Sequence, residues 1–83
     1  MSLLRIEIIS PKGIIFAGEC HMAVIPGVEG DMGIMFDHES LITGLREGKV
    51  EIFDEKESLV KSVEVTGGFA EMCEASKLVV LVD

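Results

Sequence analysis

Three stretches of this 83-residue chain hold residue types able to do chemistry. Gly27-Val28-Glu29-Gly30-Asp31-Met32-Gly33 is rich in glycine, but its spacing is G-x-x-G-x-x-G. A dinucleotide fingerprint needs G-x-G-x-x-G between a strand and a helix whose N-terminus meets pyrophosphate. No helical pattern follows, and Glu29 and Asp31 would repel phosphate, so nucleotide binding is rejected. Gly44-Leu45-Arg46-Glu47-Gly48-Lys49-Val50 falls one spacer residue short of a P-loop. It also lacks the Ser/Thr that holds Mg²⁺.

His21 and His38 are the only imidazoles. A triad would draw His38 together with Asp37, Glu39 or Ser40, yet adjacent residues in a strand or turn point apart, and no G-x-S-x-G elbow exists. Metal binding fares no better, because Cys20-His21 puts neighbours on opposite faces. Cys20 and Cys73 form no C-x-x-C and are expected as two reduced, partly buried thiols, with a bridge between them left open. No catalytic residue, cofactor site or metal site is expected. The chain reads as non-catalytic.

Charge and composition narrow the partners. Seven Lys+Arg against 15 Asp+Glu leave a formal charge of −8. That excludes a phosphate-backbone binder, which needs a basic excess, and an arm for anionic lipid. With 48% apolar residues it is no acidic disordered tail. Aromatics reach only 5%, so the apolar mass is mostly Ile, Val and Leu, the residues of buried strands. A body this small buries only about 60% of the surface its unfolded chain exposes, so some aliphatics are expected to face a partner. No apolar run approaches the roughly 20 residues of a membrane span, and no signal peptide is visible.

The elements that must position these residues are short strands. Turn signals recur at Pro11-Lys12-Gly13, Gly18, Pro26-Gly27, Gly30, Gly33, Gly44, Gly48, Asp54-Glu55-Lys56, Gly67-Gly68 and Ala75-Ser76. This rhythm predicts one all-β domain over 1–83, a two-sheet antiparallel β-sandwich or flattened barrel of about eight to ten short strands. Leu4, Ile6 and Ile8 alternate with Arg5 and Glu7 at period two. Residues 49–53 pair with 59–65 across a loop of 54–58, with Glu64 facing out. Residues 37–45 have room for one short helical turn at most. Gly30, Gly33, Gly67 and Gly68 are expected to include positions that need positive φ or a bulge. Residues 78–82 are apolar on both faces, which fits either a strand buried in the sandwich or one that offers a face to another subunit. Ile14-Ile15-Phe16 poses the same question.

Taken in order, Pro26-Gly27-Val28-Glu29-Gly30-Asp31-Met32-Gly33-Ile34, then His38, Leu41, Leu45 and Gly48, form a recognisable pattern. Val65-Thr66-Gly67-Gly68-Phe69, the closing Val80-Leu81-Val82-Asp83, and the opening Ile6-Glu7-Ile8-Ile9-Ser10-Pro11 with Phe16-Ala17-Gly18-Glu19 complete it. The chain resembles the N-terminal β-sandwich of the epsilon subunit of F-type ATP synthase, from about Leu4 to Asp83. The resemblance implies a non-catalytic central-stalk subunit that couples gamma-stalk rotation to the c-ring during proton-driven ATP synthesis. It places Ser10, His38 and Thr43 against the gamma subunit, and Glu29, Gly30, Asp31 and Met32 against the c-ring. It also implies a hetero-oligomeric complex peripheral to the cytoplasmic face of the bacterial inner membrane, with no direct insertion.

Two departures qualify the resemblance. The family's common P-G-H-A-P-L is Phe36-Asp37-His38-Glu39-Ser40-Leu41 here. Family members also continue into a two-helix hairpin that inhibits ATP hydrolysis, whereas this chain stops at Asp83. The corresponding expectation is constitutive coupling without ATP binding. The alternative from another class is a lipoyl/biotinyl-type carrier domain, with Lys56 at a hairpin tip. Such a carrier needs a symmetry-related half with matched strands, which this sequence lacks.

Overall fold

The computed structural model describes residues 2–73 and 76–83, and among these it contains nine strands and no helix. Hairpins are formed by β1 (Leu4–Ser10) with β2 (Gly13–Cys20), by β3 (Met22–Gly27) with β4 (Gly30–Met35), and by β6 (Gly48–Phe53) with β7 (Leu59–Val65). β5 (Leu41–Leu45), β8 (Gly68–Cys73) and β9 (Lys77–Val82) complete the set. The strand count falls within the expected eight to ten. The hairpin predicted from 49–53 and 59–65 is β6–β7, with Glu64 exposed between buried Val63 and Val65.

Period-two patterning translates directly into burial. Leu4, Ile6 and Ile8 are fully buried while Arg5 is exposed. The same alternation places Ala23 and Ile25 of β3, Val50 and Ile52 of β6, Ala70 and Met72 of β8, and Leu78 and Val80 of β9 in one core. Alternate residues on paired strands share a face, so one apolar face per strand suffices to build that core.

The order of neighbours is β2-β1-β9-β8-β5-β3-β6-β7, with β4 added on β3. The two expected layers are therefore halves of one curled ladder. They join at a corner where β5 meets β3 through the single pair Gly27–Leu45. One pair departs from the antiparallel expectation. β1 and β9 run parallel, with Arg5 opposite Lys77 and Ile9 opposite Leu81. Parallel pairing needs a long crossover, and nearly the whole chain lies between these two strands.

The short helical turn allowed for 37–45 is absent. Residues 41–45 form β5, because Ile42 and Thr43 are β-branched and find a ladder partner in β8. Of the four glycines singled out, Gly30, Gly67 and Gly68 have φ of 136°, 152° and 133°. Gly33 does not have positive φ. It pairs with Val24 within the β3–β4 ladder.

Strand β9 is covered on both edges by β1 and β8, and its Leu78 and Val80 are fully buried. Leu81 nevertheless remains 50% exposed. Ile14 and Ile15 are exposed as well. Both runs that broke the alternation thus present apolar side chains outward.

Candidate functional site

The β3–β4 hairpin carries the acidic loop at its tip. Gly27 and Gly30 pair across the turn, and a β-carbon at Gly27 would lie 2.7 Å from the Gly30 carbonyl oxygen. Val28 and Glu29 keep negative φ, so the chain reversal relies on Gly30 at φ 136°. The tip is tied to the next turn. Val28 N donates to the Gly44 carbonyl at 2.9 Å, and Arg46 N donates to the Pro26 carbonyl at 2.9 Å. Arg46 Nη1 donates to the Gly27 carbonyl at 3.2 Å, and Nη2 meets Asp31 Oδ1 at 2.7 Å.

An apolar ridge starts at the same place. Ile9, Leu81 and Phe69 stand in register across β1, β9 and β8, and Phe69 pairs with Gly44 of β5. In-register residues share a face, and here it is the outer one, since Val80 and Ala70 beside them are fully buried. Gly44 has no side chain, and Val28 Cγ1 approaches within 3.4 Å of where its β-carbon would lie, with a Phe69 ring carbon at 3.9 Å. Val28 therefore closes the row and begins the acidic tip. Phe69 is 62% and Val28 57% exposed. The far end of this outer face is charged instead, with Glu7 between Arg5 at 3.6 Å and Lys77 at 3.5 Å. A second row, Met35, Met22, Phe53 and Leu59, crosses the outer side of the other layer in register.

The residues expected at interfaces fall in three places. Glu29, Gly30, Asp31 and Met32 line an open depression of about 360 Å³ together with Leu41, Ile42 and Thr43. Thr43 thus joins the acidic tip rather than Ser10 or His38. Ser10 sits in the β1–β2 turn, where its Oγ donates to the Gly13 carbonyl and accepts from Lys12 N. His38 lies in the loop before β5, beside Phe36, Asp37, Cys73 and Ser76. Ile6, Leu78, Met72 and Leu41 form one row, so Ser10 lies four residues, about 13 Å, along the sheet from the start of β5. The loop before β5 carries His38 farther still.

Among the described residues the titratable groups stand apart. His38 Nδ1 lies 2.8 Å from the Glu39 carbonyl oxygen, so it carries the proton and donates. Cys20 and Cys73 are both free thiols, Cys20 buried and Cys73 half-buried. Burial pushes the Cys20 thiol up to about 11, which suppresses the thiolate and its nucleophilicity. Among the described residues no group of three His, Cys, Asp or Glu is arranged to hold a metal ion. Lys56 stands in the exposed 54–58 turn, whose Asp54 Oδ1 accepts from Lys56 N and Ser58 N.

The fold has known counterparts. Residues 3–83 match the family model described as "ATP synthase, Delta/Epsilon chain, beta-sandwich domain". The chain belongs to that family. The ATP synthase epsilon chain of Sulfurimonas denitrificans is 42% identical over 83 residues, which is 100% of this chain and 62% of that one. The Helicobacter acinonychis epsilon chain is 39% identical over 72 residues, 87% of this chain and 57% of that one. This chain therefore spans about three-fifths of the length of these curated relatives. A chain of the Euglena gracilis mitochondrial ATP synthase (OSCP/F1/c-ring in rotational state 1) superposes with TM-score 0.87 at 19% identity, over 99% of this chain and 51% of that one. A chain of the Tetrahymena thermophila mitochondrial ATP synthase central stalk/c-ring gives 0.75 at 12% identity, over 95% and 62%. At those identities the likeness is one of fold.

Membership of the delta/epsilon β-sandwich family leaves the carrier-domain alternative without support, and Lys56 becomes a solvated turn charge. It also accounts for the Gly-rich stretch that failed as a nucleotide motif, since those glycines shape a hairpin. Two features of this β-sandwich escaped the strand pattern. Val28 lies inside a glycine-rich loop motif, and Arg46 inside a stretch that falls short of a P-loop, so neither carries a period-two signal. Apolar residues on both parities of 22–25 and 78–82 were the available signal for outward apolar rows.

Proposed function

We propose that this chain is a non-catalytic epsilon-type subunit of the ATP synthase central stalk, coupling rotation of the gamma subunit to the c-ring during proton-driven ATP synthesis. The observation that carries the proposal is the continuity of the Ile9–Leu81–Phe69–Val28 ridge with the Glu29/Asp31 tip. An apolar row beside a polar end suits a body that grips one partner and rests on another. Torque passes through contact surfaces, so the subunit needs a rigid ladder and no reactive groups. In this reading Ser10 and His38 face gamma, with the ridge adding apolar area on the outer face, and Thr43, which shares the depression of the acidic tip, faces gamma where the two partner surfaces meet. Glu29, Gly30, Asp31 and Met32 face the polar loops of the c-ring. As part of the complex the subunit is peripheral to the cytoplasmic face of the bacterial inner membrane, and residues 1–83 act as one domain.

Complementation tests the role. Cells lacking their epsilon subunit should regain coupled ATP synthesis when they express this chain, and Thr43→Arg should abolish the rescue while the purified variant keeps its fold. Failure of the wild-type chain to restore coupling, although it assembles with gamma, would overturn the coupling role.

A further inference from the structure

Arg46 occupies the two-residue turn between β5 and β6, yet its guanidinium contacts reach the β3–β4 hairpin. Nη1 binds the Gly27 carbonyl on the strand entering the turn, and Nη2 binds Asp31 on the strand leaving it. Its own N–H holds Pro26, the cross-strand partner of Asp31. One residue thus spans both strands just below Val28 and Glu29. A planar guanidinium suits this work, because its fixed donors orient as well as attract.

The arrangement separates the two tip carboxylates. Asp31 is paired with Arg46 at 2.7 Å, whereas among the described residues no ion pair involves Glu29. Glu47, the neighbour of Arg46, lines a different depression with Gly48, Lys49 and Glu64. Counting Glu29, Asp31 and Arg46, the tip carries one net negative charge. An ion pair this exposed contributes little to global stability, so its consequence is placement.

We propose that Arg46 is a positioning residue: it ties Asp31 into an internal ion pair and so presents Glu29 as the carboxylate that meets a cationic partner surface. This rests on the docking role proposed above and specifies which side chain performs it. Asp31 shapes the tip, and Glu29 makes the charged contact.

The test compares variants of the full chain for binding to purified c-ring complex in nanodiscs at 50 and 200 mM NaCl, conditions spanning about a twofold range of Debye length. Glu29→Gln and Asp31→Asn change the charge equally. Glu29→Gln should weaken binding about tenfold and flatten the salt dependence, while Asp31→Asn, still able to accept from Arg46, should cost less than about threefold. Arg46→Gln separates placement from charge. It makes the tip more negative, so simple attraction predicts tighter binding, whereas the clamp predicts binding weakened about threefold or more. Amide exchange at Val28 should also accelerate in Arg46→Gln, with the melting temperature little changed. Tighter or unchanged binding by Arg46→Gln, or an Asp31→Asn loss equal to that of Glu29→Gln, overturns the inference. If the wild-type chain fails to bind the ring, the docking role and the part of Glu29 fall together. Unaltered exchange at Val28 would then dismiss the clamp on its own.

Discussion

The carbonyl oxygen of Leu81 occupies the space that a β-carbon at Gly68 would need. Gly68 also has φ of 133°, a conformation that L side chains rarely adopt. This close approach brings β8 against β9 where Phe69 and Leu81 stand side by side on the outer face. The glycine pair of Gly67-Gly68-Phe69 thus serves the ridge as well as the fold.

Gly68→Ala should lower stability by about 2 kcal/mol or more, because steric overlap with backbone adds to conformational strain. Gly33→Ala should cost far less, since its new methyl meets only the flexible Met22 Sδ, at 3.4 Å. Urea unfolding of both variants checks the contrast.

Leu81→Asp should leave the core intact, because Leu81 points away from buried Val80 and Val82. Its effect on stability should stay within about 1 kcal/mol, somewhat above an ordinary surface change because it lies in a strand. Binding to isolated gamma subunit, read by titration calorimetry, should fall at least tenfold if the ridge grips the stalk. Undiminished affinity would remove the ridge from that interface.

Cys20 predicts a pH dependence. Burial raises its pKa from 9.0 to about 11, so between these values the folded state holds a proton that the unfolded state has released. The stabilisation is complete below pH 9 and is lost as pH rises toward 11, by on the order of 1 kcal/mol per pH unit. Cys20→Ala should flatten that part of the stability profile. At pH 8 a thiol reagent should modify Cys73 well before Cys20 in the folded chain.

Asp37 has φ of 65°, in the left-handed region, where the family motif carries glycine. Asp tolerates this conformation better than most residues, and its N–H donates to Ser76 Oγ at 2.8 Å. Asp37→Gly should therefore be neutral to within about 1 kcal/mol, while Asp37→Val should destabilise by more than that. Thermal melts of the two variants distinguish them, and equal melting temperatures would contradict the argument.

Much of this protein was legible in the sequence because strand burial obeys a local rule. Alternation at Leu4-Ile6-Ile8 is set by pleat geometry alone, and the 54–58 turn between two alternating runs leaves its register little choice. The glycine pattern of 26–33 and 67–69 likewise carries the likeness to its family, because it lies in contiguous sequence. Other relationships join residues far apart in the chain, and no local rule reaches them. That β1 pairs β9 in parallel, that Val28 covers Gly44 beside Phe69, and that Arg46 holds Asp31 all depend on how the ladder curls at the Gly27–Leu45 corner. Sequence spacing determined which side chains each strand offers to its two faces. Only the tertiary structure decided which of those faces meet, because that choice comes from burying one shared core while neighbouring strands satisfy each other's hydrogen bonds.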